Sequence, residues 1–418
     1  MFAYRSFIVT PLLLSDIKRM VGLYDTNEVA ENTHNPENHF LSLCSVPNYP
    51  LNLYFKMEFF RRVSKSKEAK TTKKASPPNQ EEQAEKKSAR SLGKIEGFRI
   101  PQHPDGWENL VQEGGLRNFT IKTLPREMFG SASKASNKQY VMLRCYSPRI
   151  VPPIDFRYHM SKFGFSKEML ERAAGLLNQS SDWAKYIRSL KQGIPTRELR
   201  DTQGDLWPGS FMAAKRLQEQ TATVKGAHDR IRQANHQRVE KYIDAEDEAT
   251  PNAALVVLLQ EITHIVGNVN LEWVLNRTRF SAEFGDGRLY RACTDGAWRS
   301  TQDFEVFSIA EVKKGLRSES TIVQEACEII AWMMTSPKSA VFESHCLLTS
   351  QDRHQIFLTF AKYEEAFHNY LKNNEATDKF LVMETFGPYD AEDPDCLEDL
   401  AKIIIAAVWI IQRSLSLL

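Results

Sequence analysis

Glu311 and Lys313 place an acid and an amine at the end of an apolar stretch, FEVFSIAEVKK (304–314). Side chains two apart in a strand share one face of a sheet, so these two groups point the same way. Asp295 closes the preceding strand-like stretch, and a meander of strands would bring it beside Glu311. Two carboxylates can hold a hard divalent cation such as Mg²⁺, which polarises a phosphate and acidifies a bound water. The lysine can orient that water and offset charge on phosphorus, so the sequence predicts metal-dependent cleavage of phosphodiesters.

Two residues on predicted helices complete this hypothesis. Glu261, in a helix predicted over 252–266, is the candidate third metal ligand, although Glu272 and Glu283 offer the same chemistry. Gln324, on the helix after the lysine, could steady the nucleophilic water or a metal ligand. Each also has a plain interpretation, as an acid or an amide on a helix surface without a metal.

The Glu-x-Lys triplet alone carries little information, because it occurs three times in the chain. The pairs Glu68/Lys70 and Glu85/Lys87 lie in a charged tract, whereas Glu311/Lys313 ends an apolar strand and precedes an amphipathic helix. Two simpler readings stay open. The third pair could be a solvent-exposed strand end worth about 0–1 kcal/mol, and Asp295 could be a turn residue before a glycine.

The elements around these residues follow an α/β order. Apolar periodicity and turn residues predict a helix, three strands, a second helix and two further strands, with the helices covering a central sheet. The first two strands are joined by the turn pair Asp286-Gly287. The predicted ranges are 252–266 and 320–336 for the helices, and 279–285, 288–296, 304–314, 344–350 and 354–363 for the strands.

Composition separates the chain into regions. Its 418 residues carry a net charge of +1, which says nothing about nucleic acid or membrane because a neutral total can hide a basic groove. The six cysteines form no CxxC pair, so we predict reduced thiols. We predict an N-terminal segment of unknown structure (1–60), a disordered basic linker (61–95), a mixed and then helical extension (96–245), and a catalytic domain (246–418). The linker is either a nuclear-import signal, a loose nucleic-acid contact or a solvated spacer.

No stretch of the sequence predicts a membrane span. The apolar N-terminus is interrupted by Thr10 and Pro11 and lacks the basic start of a secretory signal. IIIAAVWII (403–411) is far shorter than the roughly twenty residues that cross a bilayer, so we predict a buried helix there. We expect an intracellular protein, and the basic tract favours the nucleus.

Several of these motifs together resemble the PD-(D/E)xK nuclease superfamily, which has the restriction-endonuclease-like fold. The resemblance is closest to an uncharacterised group common in filamentous fungi and covers roughly residues 250 to 415. It implies a core of helix, three strands, helix and strand. The matching stretches are NVNLEWVLNRTRFSAEFG, TDG, IAEVKK, QEACEIIAWM and SQDRHQIFLTFAKYEEAFHNYL.

The resemblance assigns a role to each candidate residue. It implies that Asp295 and Glu311 bind the metal, that Lys313 is the catalytic lysine and that Gln324 is the glutamine of the following helix. Thr294 stands where the family has its proline, and Glu328 stands where the exonuclease-type signature has a tyrosine. The implied function is a Mg²⁺-dependent nuclease acting on DNA or RNA, with Mn²⁺ as a substitute cation. The alternative is a catalytically inactive nuclease-fold module for binding or protein interaction.

Cationic and aromatic residues flank this region in sequence. The arginines could grip phosphates, with salt-dependent affinity, or be scattered surface charges. The tryptophans could stack on bases or pack in the core. Asp352, Arg353 and His354 we interpret as hairpin residues. The arginines are 277, 279, 288, 291, 299 and 317, with Lys314 beside them, and the tryptophans are 273, 298 and 332.

Overall fold

A computed structural model describes residues 93–199, 204–222, 247–336 and 340–416. All of them belong to one compact unit of the chain. The predicted N-terminal segment (1–60), nearly all of the predicted basic linker (61–95) and the part of the predicted extension after residue 222 and before 247 lie outside the described residues.

The described chain contains both helices and strands, with a run of helices between the first strand and the second. The helices are α1 (Pro104–Glu113), α2 (Asn137–Met142), α3 (Phe156–His159), α4 (Lys167–Gln179), α5 (Ser181–Lys191), α6 (Thr196–Leu199), α7 (Met212–Ala222), α8 (Ala249–His264), α9 (Glu319–Thr335), α10 (Glu365–Asn373) and α11 (Pro394–Leu415). The strands are β1 (Cys145–Tyr146), β2 (Leu271–Val274), β3 (Arg279–Glu283), β4 (Leu289–Cys293), β5 (Gly296–Ser300), β6 (Val306–Lys313), β7 (His345–Asp352), β8 (Gln355–Lys362) and β9 (Leu381–Asp390).

Seven strands form a mixed sheet in the order β1-β9-β8-β7-β6-β5-β2. The pairs β6–β7 and β1–β9 are parallel, and the other neighbours are antiparallel. Parallel neighbours need a crossover, and α9 supplies it between β6 and β7. The predicted α/β class is therefore confirmed.

Helices cover both faces of this sheet and create two hydrophobic cores. One core lies under α4, α5, α8 and α11, and the other lies under α1, α2, α9 and α10. Helix α11 contains the predicted buried helix at 403–411, in which most apolar residues are buried while Trp409 and Ile410 are partly exposed. No described helix has the length and apolarity needed to cross a membrane.

The predicted three-strand meander is wrong in one respect. Its first two strands, β3 and β4, do not join the main sheet but form a separate two-stranded ribbon. Burial alternates along both strands, because one face packs on α9 and the other faces solvent. The strand beside β6 is instead β5, which follows the ribbon and was not predicted, and β2 pairs with β5 at the sheet edge.

Helix α9 starts where its sequence favours a helix start. The hydroxyl of Ser318 accepts a hydrogen bond from the backbone N–H of Thr321, which satisfies one of the free donors of the first turn. Eleven side chains of α9 are buried, since the sheet covers one side of the helix and the β3–β4 ribbon covers another. The helix therefore fixes the position of every polar group that it carries toward β6.

Candidate functional site

The candidate site lies at the carboxyl ends of β6 and β7. These strands are parallel, so their ends meet at one edge of the sheet, where Glu311 pairs in register with Ser350 and Lys313 with Asp352. Glu311 is 1% exposed and faces α9. A carboxylate at this depth needs partners, because burying an unpaired charge is costly.

Asp295 reaches this edge from the short link between the ribbon and β5. Its backbone N–H donates to Ala310 O at 3.0 Å, and its Oδ2 accepts from the Val312 N–H at 3.2 Å. Val312 stands between Glu311 and Lys313, so the Asp295 carboxylate lies beside the strand segment that carries both of these residues. We refer to Asp295, Glu311 and Lys313 as the triad.

Helix α8 contributes the support behind Asp295. The side-chain amide of Asn252 donates to Asp295 O at 3.1 Å, which ties the residue to the first turns of the helix. Arg277 lies on the open side of Asp295, with 3.5 Å between its guanidinium and Oδ1. Asp295 is thus held by backbone and amide groups, while Arg277 and Lys313 are the cations that act on its carboxylate.

Gln324 is the helix residue that contacts the triad. Its amide nitrogen donates to Glu311 Oε1 at 2.5 Å and to Glu328 Oε1 at 2.9 Å. One turn of helix separates Gln324 from Glu328, so both face β6. The remaining oxygens, Glu311 Oε2 and Glu328 Oε2, are buried and accept no hydrogen bond from another donor among the described residues, but the two carboxyl groups lie within hydrogen-bonding reach of each other when one of them is protonated.

Lys313 carries the cation of the triad. Its ammonium donates to Glu311 Oε1 and lies 3.7 Å from Glu248, the residue that precedes α8. Burial alone would lower the pKa of Lys313, but Glu311 and neighbouring carboxylates outweigh that effect and raise it. The lysine side chain is 25% exposed, so its charged end still reaches solvent.

The acids of the site hold protons more tightly than ordinary carboxyl groups. Burial, and then the negative charge of Asp295, raises the pKa of Glu311 to about 8. Burial, followed by the charge of Glu311, raises the pKa of Glu328 as well. For Asp295 burial again raises the pKa, although Lys313 opposes the shift. Perturbed acids that converge at one place are typical of functional sites.

A second set of charges adjoins the triad, and we call it the ion-pair cluster: Arg317, Glu325 and Asp352. The Arg317 guanidinium donates to both carboxylate oxygens of Glu325 and to Asp352 Oδ2 at 3.1 Å. It also donates to Ser350 Oγ at 3.2 Å and lies over the ring of Phe357. The cluster links the loop after Lys313 to β7 and to α9.

The acids outnumber the cations at this edge of the sheet. The triad, Glu328 and the ion-pair cluster contribute five buried carboxyl groups, whereas Lys313 and Arg317 are the cations among them. Protons can neutralise the excess, as the raised pKa values indicate, and a divalent cation can do the same. The composition of the site therefore suits a cationic ligand.

Glu261 does not join the triad. It lies on α8, and this helix packs on the sheet face opposite to α9. Asn252 at the start of α8 touches Asp295, and Glu261 is nine residues further, about 13 Å along the helix axis. Its carboxylate instead lies 3.9 Å from His264. The two alternative third metal ligands, Glu272 and Glu283, do not join the triad either. Glu272 pairs with Arg299, and Glu283 lies at the end of the ribbon away from Asp295.

The residues present fit a Mg²⁺ ion bound through few protein ligands. The described residues contain no group of three or more His, Cys, Asp or Glu side chains arranged to hold a metal. Mg²⁺ commonly uses one or two carboxylates and keeps several waters, and Asp295 with Glu311 supplies such a pair. Glu311 Oε2 accepts no hydrogen bond from an N–H or hydroxyl donor among the described residues, so this oxygen could bind the ion.

The structure distinguishes between the alternatives left open for the tryptophans and for the residues between β7 and β8. All three tryptophans are buried, and Trp273 stacks on Trp298 with ring centroids 5.0 Å apart, so these residues belong to the core. Arg353 and His354 do form the hairpin turn between β7 and β8. Asp352 was grouped with them but ends β7 as a fully buried residue, which corrects that interpretation.

The polar residues that the sequence analysis missed have a common signal. Glu325 and Glu328 interrupt the apolar side of a predicted helix, and a buried acid there requires a partner. Glu328 lies one turn beyond Gln324, and Arg317 lies four residues beyond Lys313.

Comparison of the chain with protein-family models, with curated proteins and with solved structures gave no match. The site therefore has to be interpreted from its own geometry.

Proposed function

We propose that this protein is a metal-dependent nuclease that hydrolyses phosphodiester bonds of DNA or RNA. One observation carries the proposal: the Asp295 carboxylate accepts from the Val312 N–H, between Glu311 and Lys313. Three residues from two separate elements thereby converge, two acids and one amine, at a partly open edge of the sheet. This combination is the one that phosphodiester hydrolysis with a hard cation requires.

Each group of the site has a role in this proposal. Asp295 and Glu311 would hold Mg²⁺, or Mn²⁺ in its place. When bound, the cation polarises the phosphate and lowers the pKa of a coordinated water. Lys313, whose ammonium reaches solvent, would orient the attacking water and offset charge on the phosphate oxygens. Gln324 would fix the orientation of Glu311 through its amide hydrogen bond.

The order of elements supports membership of the PD-(D/E)xK superfamily, which we propose as well. In chain order α8, β2, β5, β6, α9 and β7 follow the pattern of helix, three strands, helix and strand. The strands β2, β5 and β6 form an antiparallel meander, and β7 is parallel to β6. In this interpretation the β3–β4 ribbon is an insertion between the first two core strands.

Cleavage assays test the proposal directly. Single-stranded and duplex DNA and RNA are incubated with the full chain and Mg²⁺ or Mn²⁺, and the products are separated by electrophoresis. We expect cleavage by the wild type, loss of cleavage in Lys313→Ala and retention in Lys314→Ala, a neighbouring exposed lysine outside the triad. Equal cleavage by all three proteins, or none with any substrate, overturns the proposal.

Cation binding is tested separately by calorimetric titration of Mg²⁺. We expect heat of binding for the wild type and a large loss of affinity for Asp295→Asn. Identical isotherms for the two proteins would remove Asp295 from the metal site.

A nuclear location, which the basic linker favours, is a separate proposal. It is tested by the cellular position of a fluorescent fusion protein with and without that segment.

A further inference from the structure

The β3–β4 ribbon has one buried and one exposed face. Its buried face packs on α9, where the Tyr290 hydroxyl donates to Cys327 O at 2.8 Å and Phe280 contacts Trp332. At its base, the Thr294 N–H donates to Thr278 O at 3.0 Å, one residue from Asp295. The ribbon is therefore a fixed extension of the link that carries a member of the triad.

The exposed face near this base is cationic. In the ladder Arg279 lies opposite Cys293 and Ser281 lies opposite Arg291, and all four side chains are exposed. Arg277 precedes the ribbon and contacts Asp295 Oδ1. Acids occur only at the other end of the ribbon, at Glu283 and in the turn.

The six arginines near the site now separate into two groups. Arg288 is tied to Leu124 O and Asp286, Arg299 to Glu272, and Arg317 belongs to the ion-pair cluster. Arg277, Arg279 and Arg291 make up the other group. Among the described residues, the only ion pair in this group is that of Arg277 with Asp295.

We propose that the exposed face of the ribbon binds the sugar–phosphate backbone of a nucleic acid strand that extends from the triad. Arg277, Arg279 and Arg291 would contact successive phosphates. The inference rests on the proposed nuclease function for the identity of the substrate. We refer to the three residues as the arginine row.

Spacing supports this assignment. Arg279 begins β3, and Arg277 precedes it by two residues in the segment that leads into the ribbon. Ser281 is further along β3, and Arg291 lies directly opposite it. The three cations therefore follow one another along the ribbon from its base, and cations that neutralise phosphates supply the main attraction to a nucleic acid backbone. The row also starts at Asp295, so a strand that follows it enters the triad.

The side chains of this face favour nucleic acid over a protein partner. Protein interfaces are anchored by large apolar or aromatic residues that become buried in a central pocket. Between its base and Arg291 the face presents arginines, Ser281 and Cys293, and its single exposed large apolar side chain, Leu289, lies beyond Arg291 next to the turn. Backbone phosphates require only cations and small polar groups, which is what the face provides.

Binding assays without metal test the arginine row independently of cleavage. The full chain in EDTA is titrated into short fluorescein-labelled DNA and RNA, single-stranded and duplex, and anisotropy is followed at several salt concentrations. For Arg279→Ser/Arg291→Ser we expect weaker binding, with a slope of log K against log salt smaller by roughly 1.4 to 1.8, the value for two lost phosphate contacts. The strand form with the larger change in slope identifies the preferred substrate.

A matched control and a gain-of-charge variant make the test specific. Arg117→Ser/Arg197→Ser removes two exposed arginines elsewhere, and we expect its salt slope to equal that of the wild type. Ser281→Arg adds a cation opposite Arg291, and we expect a steeper slope by roughly 0.7 to 0.9. Equal losses in the two double variants would show a general charge effect and overturn the proposal.

Thiol chemistry locates the contact without a substitution in the row. Cys293 is exposed and faces Arg279 across the ribbon, whereas Cys396 is partly exposed on α11. We expect nucleic acid to slow alkylation of Cys293 and to leave Cys396 unaffected, measured by mass spectrometry of the two peptides. Unchanged Cys293 alkylation at saturating nucleic acid overturns the proposal, as does the absence of binding to every probe. Binding that follows the row without cleavage would instead retain this inference and refute the nuclease.

Discussion

Arg317 forms a bidentate ion pair with Glu325, in which the two terminal nitrogens of the arginine donate to the two carboxylate oxygens of the glutamate. The arginine side chain is 8% exposed and the glutamate is fully buried. Paired groups at this depth hold each other in place, because either one alone would be a charge removed from water. The loop that connects Lys313 to α9 is therefore fixed at the point where it enters the helix.

Removing this arginine is expected to destabilise the protein strongly. In Arg317→Ala, Glu325 and Asp352 lose their cation, and we expect the free energy of unfolding to fall by about 3–5 kcal/mol. Arg299→Ala is the control, since its pair with Glu272 is partly exposed and worth about 1 kcal/mol or less. Urea unfolding measures both changes, and comparable losses in the two variants would contradict the expectation.

Asp352 should make stability depend on pH. Burial, and then the charge of Glu325, raises its pKa from 3.8 to about 7, so the folded state binds a proton that the unfolded chain releases. The stabilisation from this proton is complete below pH 3.8 and is lost as pH rises toward 7. We expect the unfolding free energy of the wild type to decrease relative to Asp352→Asn across this window, by at most about 1.4 kcal/mol per pH unit.

Chemical unfolding at a series of pH values checks this expectation. The difference between wild type and Asp352→Asn removes the contributions of acids that do not interact with Asp352, and it reports Asp352 together with its neighbour Glu325, provided that both proteins unfold in two states. A constant difference from pH 4 to 7 would mean that Asp352 has the same proton affinity in both states.

The positions of two acids lead to opposite expectations for activity. Glu311→Gln removes a triad carboxylate, and we expect kcat/KM to fall about 10²- to 10³-fold. Glu261→Gln changes a glutamate on the opposite sheet face, and we expect cleavage close to that of the wild type. Steady-state cleavage rates distinguish the two. A large loss in Glu261→Gln would place that acid in the site after all.

Gln324 is expected to act through Glu311. Gln324→Ala removes the amide that orients the carboxylate, and the affinity for Mg²⁺ should fall about 10- to 100-fold. Glu319→Gln, in the exposed first turn of the same helix, is the control and should bind Mg²⁺ normally. Calorimetric titration of both variants with Mg²⁺ measures the two affinities. An unchanged Mg²⁺ affinity in Gln324→Ala would show that Gln324 does not support the metal site.

The sequence predicts β6 and α9 correctly, because the apolar periodicity and the positions of the polar residues indicate the same elements. The apolar run before Glu311 is β6, and the apolar side of 320–336 is α9, so the relation between Glu311, Lys313 and Gln324 follows from chain order. Asp295 was placed correctly beside β6 but through the wrong element. The stretch before it is a ribbon strand, and the short β5 that follows it is the true neighbour of β6.

The remaining differences come from long-range packing. The five residues of β5 are too few to show a period, and β2 has only four. Nothing local distinguishes a ribbon that packs on a helix from two strands of the main sheet. The partners of Asp352 come from two other elements, and only the assembled fold shows that this apparent turn residue ends a buried strand.

The connection between β6 and α9 constrains how the gene can change. Four residues, 314–317, join Lys313 to the capping residue Ser318, and within them Arg317 must reach both β7 and α9. An insertion here would change the path of the connection and move Arg317 away from Asp352 or Glu325. At the ribbon tip Phe284 and Arg288 are anchored, whereas the turn residues 285–287 between them are exposed. We therefore expect related sequences to differ in length at the tip of the β3–β4 ribbon and to keep the length of the 314–317 connection constant.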